Sequence, residues 1–412
     1  MRVAGALILT GLIGVAGCSR VSSNGGIELA VPHRANAQVT LAADGQRVAA
    51  AWAATGTSGT DIYVALSDDG GRTFGSPVRV NDVEGDASAN GEQPPRVVVK
   101  GNALSVIWVS KRAGATGIRT AASTDGGTTF GATRTISLPG ATGARGWESA
   151  AFADDGTLHA AWLDGRNAST SGSATADKKA AADTSAPAHV HHGGPMRQDI
   201  YHAMWKGSDA PIETPVATNV CFCCKTAIAT RGSDVYVAWR HLFPGGVRDI
   251  AVARSSDGGR TFGEPVRVSA DNWKIDACPD DGPAMSIGAD GVLRVVWPTL
   301  VQADGAPRLG IFEAVSRDGG ATFSPRAQVD SGTAAPAHPR LAMDGRRAAV
   351  VWDELAGGKR RVMLRADDGV AVVLSPGRAS SYPAVVASGD AFVVAYTDQL
   401  DDRSVVRALR VP

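Results

Sequence analysis

The sequence predicts an all-β fold: a seven-bladed β-propeller of four-stranded antiparallel blades, with six blades plus an irregular segment as the alternative. Three observations predict it. A short polar string recurs as SDDGGRTF (67–74), STDGGTTF (123–130), SSDGGRTF (255–262) and SRDGGATF (316–323). A strand-like run ending in an aromatic recurs at Trp52, Trp108, Trp162, Trp239, Trp297, Trp352 and Tyr396. Short alternating runs flanked by Gly and Asp turns fill the rest, which is the signature of antiparallel hairpins.

Each element follows from local chemistry. The runs before the repeated string, such as DIYVALS and DIAVARS, read as third strands, and the runs after it, such as SPVRV and EPVRV, read as fourth strands. The string is then the turn between them. Its aspartate can accept from nearby backbone N–H groups, and its glycines supply φ values closed to other residues. That makes Asp69, Asp125, Asp257 and Asp318 structural. A unit of about 50 residues with four short strands cannot bury both faces alone, so units must pack side by side. The last unit, ending SVVRALRVP, lacks a fourth strand, and IELAV (27–31) can supply it.

The domain boundaries are set at the N-terminus. Arg2 precedes the apolar run VAGALILTGLIGVAG, too short to read comfortably as a spanning helix. Residues 1–17 read as a signal peptide, 18–26 as a flexible tether and 27–412 as the propeller. Val15-Ala16-Gly17-Cys18 resembles a bacterial lipobox. That resemblance implies cleavage before Cys18, a lipid on its thiol as the membrane partner, and, with Ser19 following, the outer membrane facing the periplasm. Disulfides form and persist in an extracytoplasmic chain. Lys plus Arg is 41 and Asp plus Glu is 41, so charge offers no case for nucleic acid. A monomer is expected.

In such a ring the starts of the inner strands are neighbours around one opening, opposite the repeated turns. They carry His33, Arg34, Arg96, Glu148, Cys221, Cys223, Cys224, Lys225, Cys278, Asp280, His338, Arg340 and Tyr382. Loops between second and third strands add Asp164, Arg166, Arg240, His241, Asp353 and Glu354. Convergent polar groups at one mouth are the default ligand site. Cys221, Cys223, Cys224 and Cys278 have two readings: one or two disulfides, or a thiolate metal site for copper, or less favourably zinc. The insertion at 167–198 is low-complexity and read as disordered. It carries His189, His191, His192 and Met196, soft and borderline ligands suited to an outer copper-capture arm.

The repeated string, Ser-x-Asp-x-Gly-x-Thr-Phe, resembles the Asp-box of the sialidase-like (BNR-repeat) propellers, over most of 27–412. The resemblance implies an arginine triad for a substrate carboxylate, a Tyr nucleophile with a Glu partner, and an Asp acid/base. Carried over, these fall on Arg34, Arg340, either Arg240 or Arg248, Tyr382, Glu148 and Asp61. Three departures stand against it, the first being that cysteines occupy the mouth position of the fourth blade. The family's Arg-Ile-Pro reads Arg34-Ala35-Asn36, and no acidic residue follows Trp52 closely. The leading expectation is therefore a non-hydrolytic, metal-binding propeller. The alternatives are an exo-sialidase acting on acidic sugars and a scaffold for a protein or glycan partner with structural disulfides.

Overall fold

The computed structural model describes residues 26–412 except 113–114, 138–142, 169–197, 276–280, 304–305, 333 and 346. Cys18, Cys278, Asp280, His189, His191, His192 and Met196, and with them the lipid anchor and the capture arm, lie outside the described residues. Among the described residues all regular structure is β: five four-stranded sheets and one eight-stranded sheet, every pairing antiparallel. The eight-stranded sheet consists of two four-stranded halves joined at the single pair Val220↔His241. Within each set the strands run in chain order. The last set is completed from the other end of the chain, where Ile27–Leu29 pairs with Ser404–Val411.

Alternation along the second strand of each set explains the packing. In Arg47–Gly56, Val48, Ala50 and Trp52 face one neighbour, while Ala49, Ala51 and Ala53 face the other. Period-2 side-chain direction makes both faces of one strand apolar at once. The first set thus packs through Val48 and Trp52 on Val393 and Val406 of the last, and through Ala49 and Ile62 on Val106 of the second. Equivalent apolar clusters join each set to the next along the chain. The tryptophans Trp52, Trp108, Trp162, Trp239, Trp297 and Trp352 are all buried at these contacts. Three indole N–H groups find acceptors two residues on, in Asp164 at 2.9 Å, His241 at 3.2 Å and Glu354 at 3.2 Å.

The innermost strands begin at Ala35, Arg96, Arg145, Ala227, Ala284, Ala335 and Ala379. Consecutive members lie beside one another, and the last lies beside the first. Residues from all of them line one central cavity of about 170 Å3.

The repeated turn has one hydrogen-bonding pattern at all its copies. In the first, Ser67 Oγ donates to Asp69 Oδ1 (2.7 Å), Gly71 N donates to Ser67 Oγ (2.8 Å), and Thr73 donates through N (2.9 Å) and Oγ1 (2.6 Å) to the Asp69 carboxylate. Asp125, Asp257 and Asp318 repeat it. Gly71 has φ of 81°, and a Cβ there would stand 2.6 Å from Val393 of the adjoining sheet, so both conformation and space demand glycine. Phe74 then tucks into the contact between the first and last sets. The turns close against the first hairpins (Gly70 N to Gln46 O, 2.8 Å), at the opposite ends of the sheets from the inner-strand starts.

Burial raises the Asp69 carboxyl, but hydrogen bonds from Thr73, Ser67 and Arg72 outweigh it and bring it down to about 2. A carboxyl depressed in the folded state stabilises above its unfolded value of 3.8, and that stability is lost as pH falls toward 2. Asp69→Ala is expected to cost about 1 kcal/mol at neutral pH. Thermal melts of the variant and the parent should converge as the pH is lowered through this window.

Candidate functional site at the mouth of the central cavity

The innermost strands are distorted where they enter the mouth. Register shifts fall at Ala37/Thr40, Gly146/Ser149, Ala337/Arg340 and Ser381/Ala384. Each contains a residue of positive φ: Gln38, Trp147, His338 and Tyr382. A bulge releases one residue from the ladder and re-aims its side chain. Positive φ in non-glycine residues is strained, and such strain gathers at functional sites.

Two of the bulge residues meet. The His338 and Tyr382 rings lie 4.1 Å apart, tilted by 31°. Asp353 Oδ2 holds both, 2.8 Å from His338 Nδ1 and accepting from Tyr382 N at 2.7 Å. On the other side, His338 Nε2 lies 3.2 Å from Glu92 Oε1, and His338 N donates to Asp281 Oδ2 at 2.6 Å. Lys225 Nζ pairs with Asp281 and lies 3.6 Å from Glu92 Oε2, its side chain only 2% exposed. Arg360 pairs with Asp353. Loop residues before three inner strands and strand residues of a further set thus form one connected chain of charge, Asp281–Lys225–Glu92–His338–Asp353–Arg360.

Burial sets the protonation here. It pushes Glu92 up, with Asp281 adding to the push, while Lys225, His338 and Arg340 oppose it. Burial lowers His338, but Asp353, Glu92 and Asp281 more than reverse that and raise it. Tyr382 is pushed up to about 12 by burial and by the Glu92 and Asp353 carboxylates, so its phenol is protonated. Deeper in, Arg96, Lys225 and Arg340 all line the central cavity. Arg96 donates through Nε to Glu148 O (2.7 Å), and its NH2 has no hydrogen-bond partner among the described residues.

The residues suggested by the sialidase likeness are only partly gathered. Arg340 and Tyr382 both face Glu92. Glu148 faces Arg96 instead, fully buried, with neither carboxylate oxygen hydrogen-bonded among the described residues. Arg34 donates to Asp61 Oδ2 at 2.7 Å and to Ala54 O at 3.1 Å, within the first sheet. Asp61 is fully buried and also accepts from Asn81 Nδ2 (2.7 Å) and Gly85 N (2.8 Å). Burial raises it, yet these bonds and Arg34 outweigh burial and hold it as a carboxylate. This geometry makes Arg34–Asp61 an internal ion pair. Arg240 donates to the carbonyls of Arg248, Asp281 and Pro298. Asp164 and Arg166 pair with each other in the third set. Glu354 pairs with Arg361, and His33 is exposed.

The sequence reading missed Glu92, Asp281 and Arg360. Glu92 opens the EQPPR stretch quoted for Arg96, and Asp281 follows Asp280 in CPDDG. The signal was present in both, one or a few residues away from the residues chosen.

Cys221, Cys223 and Cys224 lie in the loop leading to Ala227–Arg231, at the mouth end. All are buried, under Trp147 and Phe222. Their sulfurs lie within 4.8 Å of one another: Cys221–Cys224 is 3.7 Å and Cys221–Cys223 is 3.9 Å. Cys221 and Cys224 are free thiols. Cys223 is disulfide-bonded, and the remaining cysteines, Cys18 and Cys278, lie outside the described residues. The Cys224 hydrogen bond lowers Cys221 to about 6, against the effect of burial and with help from Arg240 and Arg248. Burial, then the Cys221 sulfur, raises Cys224 well above its ordinary value. Arg248 NH1 stands 3.8 Å from the Cys221 sulfur.

Burial raises Glu148 to about 7, with Arg96 partly opposing it. The folded state therefore keeps a proton that the unfolded chain releases near 4.5, and stability falls as pH rises between these values. Glu148→Gln should flatten the melting temperature against pH across this window and leave the variant the more stable protein at pH 8. A Tm curve for the variant that parallels the parent's would contradict this placement of the charge.

No protein-family model matches the sequence, and no curated protein matches it. Solved structures do. A Hadza microbial sialidase superposes with a TM-score of 0.51 at 15% identity, over 78% of this chain and 63% of its own. The chain thus spans under two thirds of that sialidase. A polysaccharide lyase acting on ulvan superposes with a TM-score of 0.52 at 13% identity, over 79% of this chain and 82% of its own. At these identities the likeness concerns the fold, which is a β-propeller of the sialidase-like kind.

Proposed function

We propose that this chain is a seven-bladed, lipid-anchored extracytoplasmic propeller that binds a soft metal ion, copper before zinc, at its mouth. The blades are the seven four-stranded sets, and Ile27–Leu29 completes the last. One observation carries the metal reading: three cysteine sulfurs within 4.8 Å of one another in a buried loop at the mouth. Buried thiolates at that spacing match the preference of Cu(I) for sulfur, with zinc as the second fit. Cys221, Cys223 and Cys224 are the core ligands in this proposal, Cys278 the fourth, and His189, His191, His192 and Met196 the capture arm. Because Cys223 is disulfide-bonded, the full thiolate set exists only after reduction. Arg248 beside Cys221 offsets part of the negative charge that several thiolates would bring together.

Reduced protein is expected to bind one equivalent of Cu(I) in competition with a colorimetric chelator. The Cys223→Ser/Cys224→Ser double variant should lose that binding. Equal retention by the two proteins would overturn the assignment.

A second reading has its own observation. Arg96, Lys225 and Arg340 line the central cavity while Tyr382 faces Glu92, an arrangement suited to a carboxylate-bearing sugar. Hydrolysis of a fluorogenic sialoside, falling by about a hundredfold or more in Tyr382→Phe, would make this the function. No turnover above buffer leaves the mouth a binding site.

A further inference from the structure

We propose that the seam between the sixth and last sets holds a binding site for a small monocarboxylate with an apolar body, of the size of benzoate. A cavity of about 250 Å3 opens there, lined on one side by Val373 and Leu374 and on the other by Tyr396, Asp398, Arg407 and Leu409. It shares no lining residue with the central cavity, so the inference is independent of the mouth. The repeat explains the space. At four seams the tryptophan of one set lies in one apolar cluster with the residue that follows the fourth strand of the set before. The pairs are Val80 with Trp108, Ile136 with Trp162, Val268 with Trp297 and Val329 with Trp352. Each of the four aliphatic residues is buried and donates its N–H to the neighbouring third strand, as Val80 N does to Ile62 O at 2.8 Å. Leu374 takes that place in the last seam, with its N–H on Val362 O at 2.8 Å, and it meets Tyr396 instead of a tryptophan. A phenol is smaller than an indole, and Leu374 stays only partly buried.

The polar groups of the cavity leave a positive charge unmatched. Asp398 Oδ2 accepts from Arg407 Nε at 2.8 Å and from Arg378 NH1 at 3.0 Å, and its Oδ1 accepts from Ser380 Oγ at 2.9 Å. One carboxylate thus serves two guanidinium groups. Arg407 is 3% exposed, and its NH1 has no hydrogen-bond partner among the described residues. A buried donor left without an acceptor is costly, and a ligand carboxylate satisfies it with a charge-assisted bond. Tyr396 pairs with Arg407 across the strand ladder. Burial and the Asp398 carboxylate push it up to about 12, so its phenol keeps a proton to donate. Leu374, Leu409 and the Tyr396 ring supply an apolar wall. An apolar cavity of about 150 Å3 is enough for one benzene ring, so this one has room for a ring and its carboxylate. Exposed Val373 and Pro376 mark the opening. Inorganic phosphate would meet the arginine and leave the apolar wall bare, and a neutral ring would cover the wall and leave the arginine unmet. A monocarboxylate on an apolar body does both.

The test is fluorine NMR of 4-fluorobenzoate titrated with the full chain, competed by unlabelled benzoate, benzyl alcohol and inorganic phosphate. Wild-type protein should bind the probe saturably. Benzoate should displace it, and benzyl alcohol and phosphate should be weaker competitors by about tenfold or more. Tyr396→Trp should abolish binding, because the larger ring fills the space. Asp398 stands two residues on, as Asp164 does from Trp162, so this variant has its indole acceptor in place and is expected to fold. Arg407→Gln should weaken binding by about tenfold or more, with Asp398 still held by Arg378 and Ser380. Melting curves check that both variants fold. Photolabelling of the wild-type protein with 4-azidobenzoate, mapped by mass spectrometry, locates the site without any variant, and the label should fall within 372–378 or 396–409. No saturable binding by the wild-type protein overturns the proposal, as do equal displacement by phosphate and full binding by a folded Tyr396→Trp variant. Label confined to the strands around the central cavity overturns it too, by placing the carboxylate there.

Discussion

The structure depends on one constraint: every sheet is apolar on both faces. A strand such as Arg47–Gly56, with Val48, Ala50 and Trp52 on one side and Ala49, Ala51 and Ala53 on the other, is insoluble unless a sheet lies against each face. A stack of such sheets always leaves two bare ends unless the last meets the first. Here Val393 and Val406 of the last set cover Val48 and Trp52 of the first. The strand exchange at Ile27–Leu29 ties the two chain ends into the same sheet. Burying these faces removes far more apolar surface from water than any hydrogen bond or ion pair contributes, so packing fixes the arrangement and polar groups adapt to it.

The mouth is a consequence of that arrangement. Inner strands arrive side by side, and their first residues share one space whatever their chemistry. The bulges at His338 and Tyr382 then use this proximity, turning side chains out of the ladder and against each other. Glu92, Asp281 and Asp353 lie far apart in sequence, yet Lys225 pairs with the first two there while His338 and Arg360 pair with the third. Removing one member leaves another buried and unpaired, which is why such networks are stiff as well as costly to assemble.

How much of this was legible in the sequence follows from how local each signal is. The repeated turn was readable because Ser67, Asp69, Gly71 and Thr73 satisfy one another within a few residues. The tryptophans were readable because strand periodicity is local too. Glu92 and Asp281 were missed for the opposite reason. Their partners come from other sheets, and nothing in EQPPR or CPDDG distinguishes a carboxylate aimed at the axis from one aimed at solvent. Arg34 and Asp61 illustrate the converse. Their spacing fits a catalytic pair, but Asn81 and Gly85, which bury and saturate Asp61, enter from the loop that follows the fourth strand. The cysteines were recognised by type, while the mixture of one bonded and two free sulfurs needed coordinates.

The claim beneath all of this is that residues remote in sequence meet across the central opening. A double-mutant cycle on Glu92 and His338, using Glu92→Gln and His338→Asn, measures it most directly, since Glu92, in the turn before Arg96–Lys100, lies 3.2 Å from His338 in Ala335–Asp344. The account predicts a coupling in unfolding free energy of at least about 0.5 kcal/mol. Strict additivity of the two substitutions, within about 0.3 kcal/mol, would contradict it.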